Sequence, residues 1–273
     1  MDEVERVLYN NVLTGVSLSG DKYTYQNPLN TDKPDRWEWH VCPCCPPMFL
    51  KIMAAMPGYI YAYQGDNVYV NLFIGSEVRV PVGKSNSVRL KQLTSYPWHG
   101  AVSIQVNPDK ASTFSMKVRI PGWAQGTENP YDLYQSNLKA PVKLKVNQED
   151  VLLRIVDGYA EINREWKKGD HIELELPMQP RLITANKAVE NLRGQVALAS
   201  GPIIYCFEDA DNPELQTFKL QAQTPLELSH DSNLLNGVNI IKCQGDIPAK
   251  AIPYYAVANR EESHSYKVWI PQK

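Results

Sequence analysis

Three thiols and an imidazole crowd into six residues of this sequence, His40-Val41-Cys42-Pro43-Cys44-Cys45, followed at once by Pro46-Pro47-Met48. Thiolate is both a strong nucleophile and a metal ligand, and a helix N-terminus or a nearby positive charge favours it over the thiol. Zinc takes a tetrahedral set of sulfur, nitrogen and carboxylate donors, with sulfur at about 2.3 Å. Cys44 and Cys45, being adjacent, can supply one side of such a shell. His40 and Cys42 are the local candidates for more of it, and the remaining ligands must come from elsewhere. The competing reading is structural, with the cysteines as small buried hydrophobes beneath a helix and His40 as a satisfied core imidazole. The spacing is not that of a paired Cys-x-x-Cys site. Cys206 and Cys243 lie far along the chain in β-rich segments, where buried free thiols are the simpler reading.

The elements that must position this cluster begin with a helix over the first 17 residues. Val4, Val7, Leu8, Val12 and Leu13 recur at helical spacing, and Asp2, Glu3 and Glu5 sit where the helix dipole favours negative charge. Residues 17–27 alternate like a hairpin around Gly20-Asp21. A second helix is expected from Pro46 to about Met56, since proline is tolerated in a first turn, and Pro57-Gly58 should end it. Beyond it the helical signal nearly vanishes. Short alternating runs at 59–63, 68–74, 77–82, 87–93, 102–106, 114–120, 144–147, 151–155, 160–162 and 171–176 are separated by turn residues, as in an antiparallel sandwich. The runs 195–207, 251–256 and 266–270 give a further β-rich region after a boundary near Pro177–Pro180. There is no fixed-period repeat.

The 273 residues carry 28 Lys and Arg against 30 Asp and Glu, a net charge of -2 and a pI of about 6.2. That balance argues against a nucleic-acid or anionic-membrane surface as partner. No run approaches the roughly 18 apolar residues that span a bilayer. The Lys139–Lys145 stretch alternates with apolar residues and reads as the solvated face of a strand. Five cysteines, three of them clustered, make a poor disulfide framework and a better metal or catalytic site. Adjacent free thiols favour a reducing cytoplasm, but the compartment stays open.

The residues also resemble a known family. Glu5-Arg6-Val7-Leu8-Tyr9-Asn10, Asn27-Pro28-Leu29, Cys42-Pro43-Cys44-Cys45-Pro46-Pro47 and Val70-Asn71-Leu72 are similar to motifs of glycoside hydrolase family 127, the β-L-arabinofuranosidase family. The match continues in order through Tyr96-Pro97-Trp98, Arg119-Ile120-Pro121-Gly122-Trp123-Ala124, Trp166-Lys167-Lys168-Gly169-Asp170, Gly201-Pro202-Ile203-Ile204-Tyr205 and Pro253-Tyr254-Tyr255-Ala256. The resemblance implies a mainly β chain: two β-sandwich domains preceded by a remnant of the last helices of an (α/α)6 barrel. The boundaries expected are 1–60, 61–178 and 179–273. It implies a retaining glycosidase in which a zinc-bound cysteine thiolate attacks the anomeric carbon, a departure from the usual pair of carboxylates. Carried onto this sequence, Cys44 is the nucleophile and Cys45 a zinc ligand, and the substrate is an arabinofuranoside-type carbohydrate.

The departures are specific. The family's zinc site also uses a Glu-x-Cys pair before the first matching helix, and none stands ahead of Glu5; the general-acid glutamate lies upstream as well. Glu3, Glu5 and Glu38 do not match the acid's motif and read as solvated charge. Met48 stands where the family usually has Asn. The expectation is therefore a C-terminal portion, inactive alone, for which another chain could supply the missing helices and cover Val4, Val7, Leu8 and Val12. Trp37 and Trp39 are the aromatic candidates for stacking on a sugar; Trp98, Trp123 and Trp166 read as core or interface. Arg36 could reach sugar hydroxyls or a carboxylate. The alternative function is a non-catalytic β-sandwich module that binds carbohydrate or scaffolds a partner.

Overall fold

The computed structural model describes residues 1–245 and 247–273, which are mainly β and form two compact units. The first unit holds Ala54–Gln125 and Lys139–Met178. One of its sheets has six strands, in the order Glu149–Asp150, Lys143–Val146, Asp170–Glu175, Ala101–Pro108, Asn86–Thr94 and Ser76–Val82. The other has five, in the order Ile155–Val156, Tyr159–Trp166, Ser112–Arg119, Asn67–Val70 and Tyr61–Gln64. All pairs are antiparallel except Asn67–Val70 with Ser112–Arg119. Alternation builds this sandwich, broken in Ser112–Arg119, where Ser115 and Arg119 are buried beside the apolar side chains. Val88, Leu90, Ile104, Val106, Ile172 and Leu174 are buried from one sheet, and Val68, Val70, Phe114, Met116 and Val118 from the other. Each such side chain is worth roughly 1.5–3 kcal/mol of burial. Two of the sequence motifs meet in this unit. The buried Arg119 guanidinium donates to the Asn71 carbonyl at 2.5 Å and lies 5.5 Å from the Phe73 ring centre, while the Tyr159 hydroxyl donates to the Asn71 side chain at 2.7 Å.

The second unit holds Asp2–Met53, Gly126–Leu138 and Gln179–Lys273. The N-terminal helical segment thus packs in one body with the C-terminal strands. Its ten-stranded sheet runs Leu226–Asp231, Val238–Cys243, Ala249–Pro253, Ile203–Glu208, Gln195–Ser200, Arg181–Ala185 and Tyr134–Ser136; Asn30–Thr31, Tyr266–Lys267 and Ile270–Pro271 join it off this path. Helix α1 (Asp2–Val7) widens into a π turn at Leu8–Val12 and tightens to a 3-10 turn at Leu13–Gly15. Within the widened turn Asn10 is buried. Its amide donates to Arg6 O at 3.0 Å and Pro202 O at 2.8 Å, and its oxygen accepts from the Ile204 N–H at 2.7 Å, which ties helix to sheet. A buried pair, Arg181 Nε to Glu128 Oε1 at 2.6 Å and Nη2 to Oε2 at 3.0 Å, fixes the crossing of Gly126–Leu138; Arg181 also donates to Gly201 O at 2.8 Å.

Several local expectations are corrected. Glu5 is not solvated but 1% exposed, on the face of α1 turned to the unit's interior, whereas Glu3 is exposed and 3.5 Å from Arg6, and Glu38 is exposed. Leu8 is buried; Val7 is exposed, and Val4 and Val12 are half-buried. Helix α2 covers Cys45–Ala55, and Pro57-Gly58 begins another helical turn, Pro57–Ile60, because proline fits a first turn as readily as it breaks an interior. Of 151–155, only Ile155 lies in a strand.

Candidate active site

The cysteine segment leads directly into α2. The Cys44 N–H donates to Cys42 O at 2.9 Å in a tight turn, and the helix starts at Cys45 with Pro46 and Pro47 in its first turn, where a missing N–H costs no intrahelical bond. Cys44 is exposed and Cys45 half-buried, and their sulfurs stand 3.7 Å apart. Two ligands of a tetrahedral zinc with bonds of about 2.3 Å would lie roughly 3.8 Å apart, so this pair fits one edge of such a shell. Partial burial, then the hydrogen bond and charge of Cys44, push the Cys45 thiol above its ordinary range. Among the described residues no group of three or more His, Cys, Asp or Glu is placed to hold a metal ion.

His40 and Cys42, the other local candidates, contact each other. The Cys42 N–H donates to His40 Nδ1 at 3.2 Å. Its ring lies 4.9 Å from Trp37, nearly parallel at 11°, and 4.4 Å from Tyr25. Trp37 and Tyr25 are themselves stacked at 5.4 Å, and the Trp37 indole N–H donates to Asp35. Trp37 therefore spends a ring face inside the protein. Trp39 is 70% exposed and has the open face. The Cys42 thiol is free and exposed. Helix α2 has no buried residue, with Met48, Leu50 and Met53 all exposed.

One residue of the site escaped the sequence reading. Tyr25 carried no signal beyond being one of 15 tyrosines. Arg36, a candidate for sugar hydroxyls or a carboxylate, bonds main-chain carbonyls: Nε and Nη2 donate to Val257 O at 3.1 and 2.9 Å, and Nη1 donates to Thr14 O at 2.9 Å. A largely apolar cleft of about 290 Å³ in the second unit, walled by Val7, Leu29, Tyr134, Ile204, Tyr254 and Trp269, includes none of residues 36–45. Cys206 and Cys243 are buried, and burial holds both thiols up, Cys243 to about 12.

Comparison with known proteins places these features in context. Residues 1–58 match a family profile described as the GH127 catalytic domain of β-L-arabinofuranosidase, residues 67–178 its middle domain, and residues 180–271 the glycoside hydrolase family 127 C-terminal domain. A non-reducing end β-L-arabinofuranosidase of Bifidobacterium longum subsp. longum is 29% identical over 310 residues, taking in 95% of this chain and 44% of that one. The solved structure of a GH127 β-arabinofuranosidase superposes with a TM-score of 0.92 at 35% identity, covering 100% of this chain and 45% of the other. That of a GH127 β-L-arabinofuranosidase from Geobacillus stearothermophilus T6 gives 0.89 at 34% identity, covering 100% and 46%. The chain spans less than half the length of these relatives.

Proposed function

The chain belongs to glycoside hydrolase family 127, of which it corresponds to a C-terminal portion, and from that premise we propose that it contributes the sulfur side of a retaining glycosidase site acting on β-L-arabinofuranosides. The observation that carries the reading is the pair of adjacent thiols, 3.7 Å apart at the start of α2, within the segment that matches the catalytic domain. Cys44, the more exposed, is the nucleophile, and Cys45 holds the metal with it. Zinc, when bound, supplies the charge that keeps both sulfurs deprotonated near neutral pH.

The Cys44 thiolate attacks the anomeric carbon; a C–S bond forms as the glycosidic C–O bond breaks, and the leaving oxygen takes a proton from a general acid. Water then attacks the same carbon, loses its proton to that group, and displaces the thiolate. Two inversions give net retention. No carboxylate of this sequence matches the acid's motif, so hydrolysis of an aryl β-L-arabinofuranoside by the chain alone is expected at background. Trp39 offers its open face to the C–H side of the sugar.

The test is covalent capture with an L-arabinofuranose-configured electrophile, mapped by peptide mass spectrometry. Label on Cys44, kept in Cys42→Ser and lost in Cys44→Ser, is expected. Label distributed over the exposed cysteines without preference would sink the assignment.

A further inference from the structure

We infer that Arg36 is a positioning residue, through which the C-terminal loop 256–260 sets the orientation of the Cys44–Cys45 pair. The inference rests on the active-site reading above only for its catalytic meaning; the coupling itself stands on geometry.

Every link is a contact within the second unit. Arg36 grips two main-chain carbonyls, Val257 O with two N–H groups and Thr14 O with one. The next residue, Trp37, exchanges both backbone hydrogen bonds with Tyr23 at 2.8 Å. Its ring lies flat against His40, whose Nδ1 accepts the Cys42 N–H, and Cys42 O accepts the Cys44 N–H. The relay ends at Cys44, the residue just before α2. Burial lowers the Arg36 guanidinium to about 10, which leaves it charged at neutral pH and able to hold the carbonyls.

The far end of the relay is itself fixed. The Ala258 backbone is left-handed, at φ 56, a conformation that side-chain-bearing residues rarely adopt and that persists only where the surroundings impose it. They do so here. The Ala258 N–H donates to Glu208 at 2.9 Å, and Arg260 donates to Glu208 and to Asp211 at 2.7 Å. Asn259 donates to Ala256 O at 2.8 Å and Val257 O at 3.2 Å, and accepts the Leu18 N–H at 2.8 Å. Three bonds then tie this loop to residues 14–36: the Leu18 N–H to Asn259 and the two Arg36 N–H groups to Val257 O.

Arg36→Lys keeps the cation but not the fork that spans two carbonyls, and Asn259→Ala loosens the loop from its other side. The readout is the ratio of Cys44 to Cys45 alkylation by limiting iodoacetamide, localised by fragmentation mass spectrometry, with the buried Cys206 and Cys243 as internal reporters of an intact fold. In the unaltered protein Cys44, the more exposed of the two, is expected to react first. Each variant is expected to lower the ratio by about three-fold or more while Cys206 and Cys243 stay unmodified. A ratio unchanged in both variants overturns the inference. So does a ratio that moves only together with labelling of Cys206 and Cys243, since that reports general loosening. The sugar-configured electrophile separates the two claims. If it fails to mark Cys44 while the ratio still shifts, the active-site reading falls and the positioning role stands; if it marks Cys44 and the ratio holds, the reverse.

Discussion

Asp211 receives Lys250 Nζ at 2.5 Å and Arg260 Nη2 at 2.7 Å. Burial alone would raise its carboxyl, but hydrogen bonds from these two cations outweigh that and hold it below the ordinary value. A carboxylate depressed in the folded state lends stability above its unfolded value of about 3.9 and loses it as pH falls through the folded one. Asp211→Asn should therefore be less stable than the unaltered protein at pH 7. The two urea midpoints should draw together below about pH 4; parallel curves down to pH 2 would refute the linkage. At this scale the sequence was half legible. Cys44 and Cys45 stand out because neighbouring thiols are rare and chemically distinctive. Arg36, Asn10 and Glu208 do not, because their partners are main-chain carbonyls and N–H groups or side chains far away in the chain, and no local pattern records those. Glu5 misled for the same reason: acidic residues in a first helical turn suit solvent and dipole alike, and only the packed sheet reveals that this one points inward.

Among the elements, alternation served well where one face is solvated. The strand Lys143–Val146 buries Leu144 and Val146 and turns its lysines out, as its pattern implied. It served poorly where polar residues occupy both faces, as in Leu226–Asp231, and where a strand begins against a proline-rich boundary, as in Arg181–Ala185. Connections between strands can be as constrained as the strands themselves. Gly100 O accepts the Leu176 N–H at 3.0 Å, and a Cβ on Gly100 would stand 2.0 Å from Leu176 O, an approach only glycine permits. Gly100→Ala should cost about 1–3 kcal/mol, because backbone and not a flexible side chain must yield. Denaturant titration of the variant gives the answer directly, and a loss below about 0.5 kcal/mol would mean that the two segments part easily.

For the whole molecule the decisive fact is how the chain is dealt between its two units. The second unit takes its residues from three separate stretches, so its borders are not points at which the sequence can be cut. A fragment beginning at residue 54 would strip Asn10 from Ile204 and Pro202, and would remove Pro28 O, the acceptor of the Tyr254 hydroxyl at 2.9 Å and the Tyr266 hydroxyl at 2.8 Å. Each orphaned buried group costs roughly 1–3 kcal/mol, so the second unit of that fragment should lose about 3 kcal/mol or more, seen as a lowered urea midpoint. An unchanged midpoint would show that residues 2–53 lean on the sheet without supporting it. The same arrangement bears on biosynthesis. Arg36 and its acceptor Val257 are 221 residues apart, a distance that a ribosome working at about 5–20 residues per second covers in roughly ten to forty-five seconds. For that interval the anchor of the cysteine turn is still untranslated. The turn that sets Cys44 beside Cys45 is thus among the last local geometries of the chain to be secured, although its own residues are made early.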